Sequence, residues 1–383
     1  MMEKIKLFKT NHGEINSLAV YFHVGRNRIV IACSFEDKTL AEYTLEGSSI
    51  IPAWERSMGS RAWYTKVSIA PEGPAYFSGR EDGHFHTYAI DGTPKWSHDF
   101  SAAISDFLVY KDPFSGEKML LIPSIDKTLR LLNASDGSLV WGDTFQSGVN
   151  IASELMLENG NEHVLCAGGN DSTLRCYTRA AAMPENTYKM SWFHKFDSYV
   201  RDVDISSEGK VVAVADDGFL KIFDLQTGNV EWKYEHGSFA WKCKIIEELN
   251  MVLSTSYQVP IQVDDGEDLL GNPGIIACNE LTTGNITWKS TPGDGWNINA
   301  WDVQKVGDEW IILAGTTSGN LLVIDAREGK LIHSENLDTL INQVFLVENQ
   351  VQNEGDDDRE NAWFIIGCRE DAESSLFVGK LKQ

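Results

Sequence analysis

Asp217-Gly218-Phe219-Leu220-Lys221-Ile222-Phe223-Asp224-Leu225-Gln226-Thr227-Gly228-Asn229-Val230-Glu231-Trp232 reads as a turn, an alternating strand, a second turn and a short strand ending in tryptophan. The same frame recurs along all 383 residues, with its tryptophan at Trp54, Trp96, Trp141, Trp192, Trp232 and Trp288, at gaps of 42, 45, 51, 40 and 56 residues. Gaps of this size hold four strands and their turns, the repeat of a β-propeller blade. A seventh copy, Arg327 to His333, puts His333 at the tryptophan position, where it is read as a packing residue. In the segment Ile5-Lys6-Leu7-Phe8 the position falls to Phe8.

Eight to ten residues after each tryptophan-position residue a bulky apolar residue opens a new strand, at Trp63, Ile104, Ile151, Val200, Trp241, Ile298 and Ile341, and Ile15 makes an eighth opening. Near the carboxyl end, Trp363 to Cys368 and Ser375 to Leu381 look like strands lacking an outer partner, which Glu3 to Lys9 supplies. The expectation is an all-β chain, a single eight-bladed β-propeller of four-stranded blades whose last blade is closed by the amino-terminal strand. The blades run at about 13–57, 61–100, 102–145, 149–196, 198–235, 239–291, 296–336, and 339–383 with 3–10. Runs such as Val211 to Ala215 and Ile311 to Ala314 are too continuously apolar for a solvated face and fit strands packed between sheets.

The Thr-Gly-x-x-x-Trp ending, best kept in Leu225 to Trp232 and Leu281 to Trp288, with Ser135 to Trp141 beside them, resembles the tryptophan-docking repeat of PQQ-like β-propellers. Openings such as His12 to Leu18 and Val200 to Lys210 look like WD40 repeats. In architecture the chain is similar to BamB-type assembly scaffolds. That likeness does not carry over a membrane role, because the chain shows no lipidation signal. Catalytic members of the wider family are quinoprotein dehydrogenases, which carry a vicinal cysteine pair. This chain has six scattered cysteines, Cys33, Cys166, Cys176, Cys243, Cys278 and Cys368, with no Cys-Cys and no zinc spacing. They read as buried thiols, and no cofactor is expected.

Composition narrows the partners. A net charge of −23 repels phosphate backbones, which excludes nucleic acid as a first guess. No stretch has the length and apolarity of a membrane span or a signal peptide, so the expectation is a cytoplasmic protein without membrane insertion, periplasmic or extracellular only if a leader has been removed. No nucleophile elbow, metalloprotease helix or phosphate-cradling loop is present. His84 and His86 share a strand face at a spacing a metal could use, and are read as surface histidines. The acidic runs Asp264 to Asp268 and Glu354 to Glu360 lack the ligand order of a calcium loop. The Tyr257 to Gly274 insertion around the first is a candidate partner contact.

The residues after each opening are expected to ring one mouth of the central channel: Asn16, Tyr64, Ser105, Ala152, Arg201, Lys242, Asn299 and Asn342. Arg201 and Lys242 fall on adjacent blades, where together they could capture a carboxylate, a phosphate or an acidic partner segment. Trp63, Tyr64, Trp241, Trp296 and Trp301 lie at the same openings, an interface composition. A one-residue slip in register would exchange the side chains that line the mouth. The reading is a non-enzymatic scaffold that binds a protein partner through this face. Two other classes stay open: a small-molecule, metal or quinone-dependent propeller, and a structural subunit of a larger complex.

Overall fold

The computed structural model describes residues 6–23, 28–46, 49–68, 75–157, 160–184, 187–257, 260–262, 268–270, 274–291, 297–348, 362–369 and 374–381. The chain divides into two compact units, Met1–Ser97 with Ile298–Gln383, and His98–Asn297. Each holds four-stranded antiparallel meanders, eight in all among the described residues.

In the first unit the sheets are Ile15–His23, Arg28–Phe35, Thr39–Glu46 and Ser49–Ser57; then Ala62–Ser68, Ala75–Arg80, His84–Tyr88 and Pro94–Asp99. Ile298–Val306, Glu309–Thr316, Asn320–Asp325 and Leu331–Asn336 make the seventh. The eighth is Leu340–Glu348, Ala362–Arg369 and Ser374–Leu381 with Lys6–Lys9 as its outer strand, Phe8 lying opposite Leu376. The amino-terminal strand therefore completes the last sheet, as the sequence implied.

The second unit contains Leu108–Lys111, Lys118–Pro123, Thr128–Asn133 and Leu139–Thr144; then Val149–Met156, Glu162–Gly169, Thr173–Ala180 and Lys189–Lys195. Val200–Ile205, Lys210–Ala215, Phe219–Asp224 and Val230–Glu235 follow, and Phe239–Ile246, Met251–Tyr257, Ile276–Glu280 and Ile286–Ser290 end it. Within the Tyr257 to Gly274 insertion, Pro260–Gln262 pairs with Asp268–Leu270. The rest of the Asp264 to Asp268 run, all of Glu354 to Glu360, and Trp296 lie outside the described residues. Helix among the described residues is limited to one turn, Glu247–Leu249.

Burial follows strand position. The second strand Lys210–Ala215 is buried at five consecutive residues, whereas the outer strand Val230–Glu235 alternates between half-buried and exposed. Two-sided packing explains the continuous apolar runs, since both faces of a middle strand meet neighbouring sheets. All six cysteines are buried and none forms a disulfide, and burial pushes the Cys33 and Cys243 thiols well above their usual range.

The Trp-Gly repeat is a packing device. In the second unit the Trp192 indole donates to Leu225 O at 2.6 Å and lies over Gly228, where a Cβ would come within 2.6 Å of the ring. Trp232 repeats this on the next sheet, donating to Leu281 O at 2.9 Å above Gly284. In the first unit Trp54 donates to Ile90 O at 3.0 Å and covers Gly92. Each glycine has φ between +69° and +75°, so the turn needs its missing side chain twice, for backbone conformation and for contact with the indole. His333 pairs with Val323 as Trp232 pairs with Ile222, which confirms its place in the repeat. Its side chain is 42 % exposed, with Glu335 at 3.9 Å.

A second device recurs in three sheets of the second unit. Asp126, Asp171 and Asp217 each accept the backbone N–H two residues on, at 3.0, 3.0 and 3.1 Å, and pair with the cation four residues on, Arg130, Arg175 or Lys221. Each cation also sits over a phenylalanine, Phe100, Phe145 or Phe196, at 3.7 to 4.3 Å from the ring centroid. The aspartate shapes the turn and the cation ties it to the ring.

Candidate interaction surface at the strand openings

Seven of the eight openings carry a β-bulge, one residue that drops out of the ladder with the second strand. The bulged residues are Asn16, Trp63, Asn150, Arg201, Trp241, Asn299 and Asn342. In the remaining sheet Ile104 bridges Ser124 and Ser105 follows it. The alignment read from the sequence is thus one residue late in two sheets. Trp63 and Trp241 are the bulged residues there, not Tyr64 and Lys242, because the true openings are the fully buried Ala62 and Ala240. In the fourth sheet it is two residues late, since Val149 opens the strand and Asn150, not Ala152, is bulged; Ala152 is buried.

The polar character of these positions has a backbone cause. Asn150 Nδ2 donates to Val200 O and Asn299 Nδ2 to Ile341 O, both at 2.9 Å, while Asn342 Nδ2 reaches Ile15 O at 3.5 Å and Glu14 Oε1 at 2.9 Å. Ser105 Oγ donates to Val149 O. In each case the bulged or opening side chain satisfies the opening carbonyl of the next sheet, which would otherwise be left without a donor. At Asn16 the pattern breaks. Ser34 Oγ takes Ala62 O instead, at 3.2 Å, and Asn16 Nδ2 is buried without a hydrogen-bond partner, as is Trp301 Nε1.

Arg201 and Trp241 depart from the latch and form a surface of their own in the second unit. The Arg201 guanidinium grips Asp216 in two-pronged fashion, Nε to Oδ1 at 2.7 Å and Nη2 to Oδ2 at 2.5 Å. Its carbon lies 5.5 Å from the Tyr199 ring centroid and 5.3 Å from that of Trp241, which in turn is 5.9 Å from Tyr257. Tyr199, Phe239 and Trp241 remain 46, 43 and 37 % exposed. Trp63 and Tyr64 are also exposed, on the first unit.

Anion capture by Arg201 and Lys242 does not fit this electrostatic setting. Arg201 is already neutralised by Asp216, and Lys242 lies beside the Asp202 carboxyl. Burial pushes Asp202 up to about 7 even though Cys243 N–H at 3.0 Å, Lys242 and Val203 N–H all favour its charged form. Asp204 accepts Ile245 N–H at 2.9 Å and pairs with Lys244 at 3.1 Å. Tyr199, Phe239 and Asp216 were not singled out from the sequence. The signal was available: Tyr199 and Phe239 each directly precede an opening residue, Val200 and Ala240.

His84 and His86 have rings 6.0 Å apart, and His86 Nε2 lies 2.8 Å from the Arg80 guanidinium, a cation that opposes a metal there. Among the described residues no group of three or more His, Cys, Asp or Glu side chains is gathered to hold a metal ion.

The repeat and its packing define a β-propeller of eight four-stranded blades. Residues 188–224 match the family model described as WD domain, G-beta repeat, a stretch that runs from the outer strand of blade 4 through the first three strands of blade 5. No curated protein matches the chain in sequence. Among solved structures it is similar to Sqt1 of Saccharomyces cerevisiae, with a TM-score of 0.78 and 10 % identity over 98 % of each chain. The computationally designed Ika8 protein gives 0.67 at 16 % identity over 96 % of each. BamB of Moraxella catarrhalis gives 0.63 at 14 % identity, over 100 % of this chain and 98 % of that one. The fold is thus shared with both WD40-type and PQQ-like propellers.

Proposed function

We propose that the protein is a non-enzymatic interaction scaffold that docks a protein partner on the openings of blades 5 and 6. The observation that carries this reading is the exposure of Tyr199, Phe239 and Trp241 around an arginine whose charge is met within the chain. Aromatic rings held in place by an ion pair present large contact area at small entropic cost, the composition of an interface hot spot. The commitment of Arg201 to Asp216 makes contact area, not charge capture, the source of affinity. A protein partner suits a chain of net charge −23 better than a nucleic acid does. The WD40-type match and the likeness to Sqt1 support an interaction module at the level of fold.

The test is site-specific photo-crosslinking in cells of the source organism. A benzophenone side chain replaces Phe239 and, as control, the equally exposed Val230 on an outer strand. One protein crosslinks at 239 and not at 230, and its yield falls by about tenfold when Tyr199→Ala and Trp241→Ala are combined. Equal crosslinking at both positions, or a yield unchanged by the double substitution, refutes the reading.

A further inference from the structure

In blades 3, 5 and 7 the two middle strands carry a pair of bulky aliphatic residues next to the tryptophan position. The pairs are Leu121 opposite Leu131, Val212 opposite Ile222 and Leu313 opposite Val323. The third-strand member then faces Trp141, Trp232 or His333 on the outer strand. Blade 6 keeps Leu253 but sets Cys278 opposite it, beside Trp288. In blade 4 both places are cysteine: Cys166 on Glu162–Gly169 lies directly opposite Cys176 on Thr173–Ala180, and Cys176 faces Trp192. Two small thiols thus stand where the other blades use larger side chains to fill the core, and a departure from a repeat rule is where a function is expected.

The two thiols are hydrogen-bonded to each other. Register between their strands is unbroken from Glu162, opposite Ala180, to Gly168, opposite Leu174, so no bulge turns the cysteines apart. Residues directly opposed in an antiparallel pair have Cα atoms about 4.5 or 5.5 Å apart. Both spacings fall inside the range of about 4.4–6.8 Å that a disulfide spans. The turn between the strands is closed by Ser172 N–H to Gly169 O at 3.1 Å and by Thr173 N–H to Asp171 at 3.0 Å, which fixes the register locally.

In the finished fold the pair is sealed. Both cysteines are fully buried, in one cluster with Val200, Val203, Val211 and Phe223 of blade 5. Burial also pushes the Cys166 thiol well up, and the thiolate is the form that reacts with an oxidant. The hairpin that carries the pair precedes blade 5 along the chain, so during synthesis it emerges before its cover.

We infer that Cys166 and Cys176 are a disulfide site, closed when blade 4 folds in an oxidising environment and kept as a sealed dithiol when it folds in a reducing one. With glutathione disulfide as the oxidant, one cysteine thiolate attacks a glutathione sulfur and expels a glutathione thiolate. The second cysteine thiolate attacks the protein sulfur of this mixed disulfide and expels the other glutathione. Two electrons pass to glutathione, and the two protons lost by the cysteines end on its thiols. The new bond ties the middle strands of blade 4 through a short loop. It involves none of the residues assigned to partner docking.

The experiment is cell-free synthesis of the full chain in two glutathione buffers, one mostly oxidised and one mostly reduced. Free thiols are alkylated in denaturant, and the products are read by intact mass and peptide mapping. The oxidised buffer gives a Cys166–Cys176 link in most chains and leaves Cys33, Cys243, Cys278 and Cys368 alkylated, whereas the reduced buffer gives no link. A chain folded in the reduced buffer and then moved to the oxidised one forms the link at least about tenfold more slowly than the same chain in urea. Cys166→Leu, which restores the pairing of blade 6, abolishes the link; if that variant fails to fold, the mapping of the unchanged chain decides. Absence of the link after oxidised synthesis, links spread evenly over the cysteines, or oxidation of the folded chain as fast as in urea overturns the assignment.

Discussion

Two kinds of blade junction coexist in the second unit. Where blade 4 meets blade 5, and blade 5 meets blade 6, an indole lies on a glycine turn and donates to a carbonyl beside it. Where blade 3 meets blade 4 the glycine is missing, and Trp141 leans on tyrosines beside a buried ion pair, Arg179 with Asp112. The first arrangement uses one uncharged hydrogen bond and close packing. The second takes ions out of water and holds them through a chain of hydrogen-bonding partners. Repeat geometry thus sets the default, and one junction gives it up for polar chemistry in the interior.

The largest effect that would test this contrast comes from breaking the ion pair. Arg179→Leu leaves Asp112 buried and unpaired and is expected to cost about 3–5 kcal/mol, with much of the loss recovered in an Arg179→Leu, Asp112→Asn double variant. Urea denaturation of the three chains checks this, and equal stabilities would remove the ion pair from the account of that junction. Next in size is Gly228→Ala, in which a methyl group meets the Trp192 ring at a positive φ. A loss of about 2–4 kcal/mol is expected by the same measurement, and a neutral result would mean that the indole yields easily. Smallest is the indole bond itself. Trp192→Phe keeps a ring but loses the donor to Leu225 O, at about 1 kcal/mol in addition to the smaller packing area, and Trp232→Phe should match it. Unequal losses at these two sites would show that the two regular junctions are not equivalent.

These junctions also mark what a sequence can and cannot disclose. The recurrence of a glycine turn four residues before a tryptophan was legible, but the contact was not, because each indole packs on the glycine of the next blade, 36 to 52 residues further on. The irregular junction left only a length signal, the 51-residue gap between Trp141 and Trp192. The strand openings were harder. Trp63 and Trp241 look like the apolar residue that opens a strand, yet the small Ala62 and Ala240 do so, and the tryptophans occupy the bulge. A bulge changes no composition and shifts every later side chain by one place, so period counting alone misses it. The ring of polar residues was found, but part of its meaning was not. Ser105, Asn299 and Asn342 are donors to the carbonyls of neighbouring blades, a demand of the backbone that one strand's sequence does not display.

The eighth sheet draws its outer strand, Lys6–Lys9, from the other end of the chain, against Ser374–Leu381. During synthesis these two strands leave the ribosome roughly twenty to seventy seconds apart, at ordinary elongation rates. Throughout that interval Leu7 and Phe8 wait beside a growing chain with no strand to pair with, and Phe8 lacks the edge contact with Tyr43 until the first blade folds around it. The last sheet is consequently the step that translation speed can delay, and an early-emerging unpaired strand is the segment most open to capture by a chaperone or by another nascent copy.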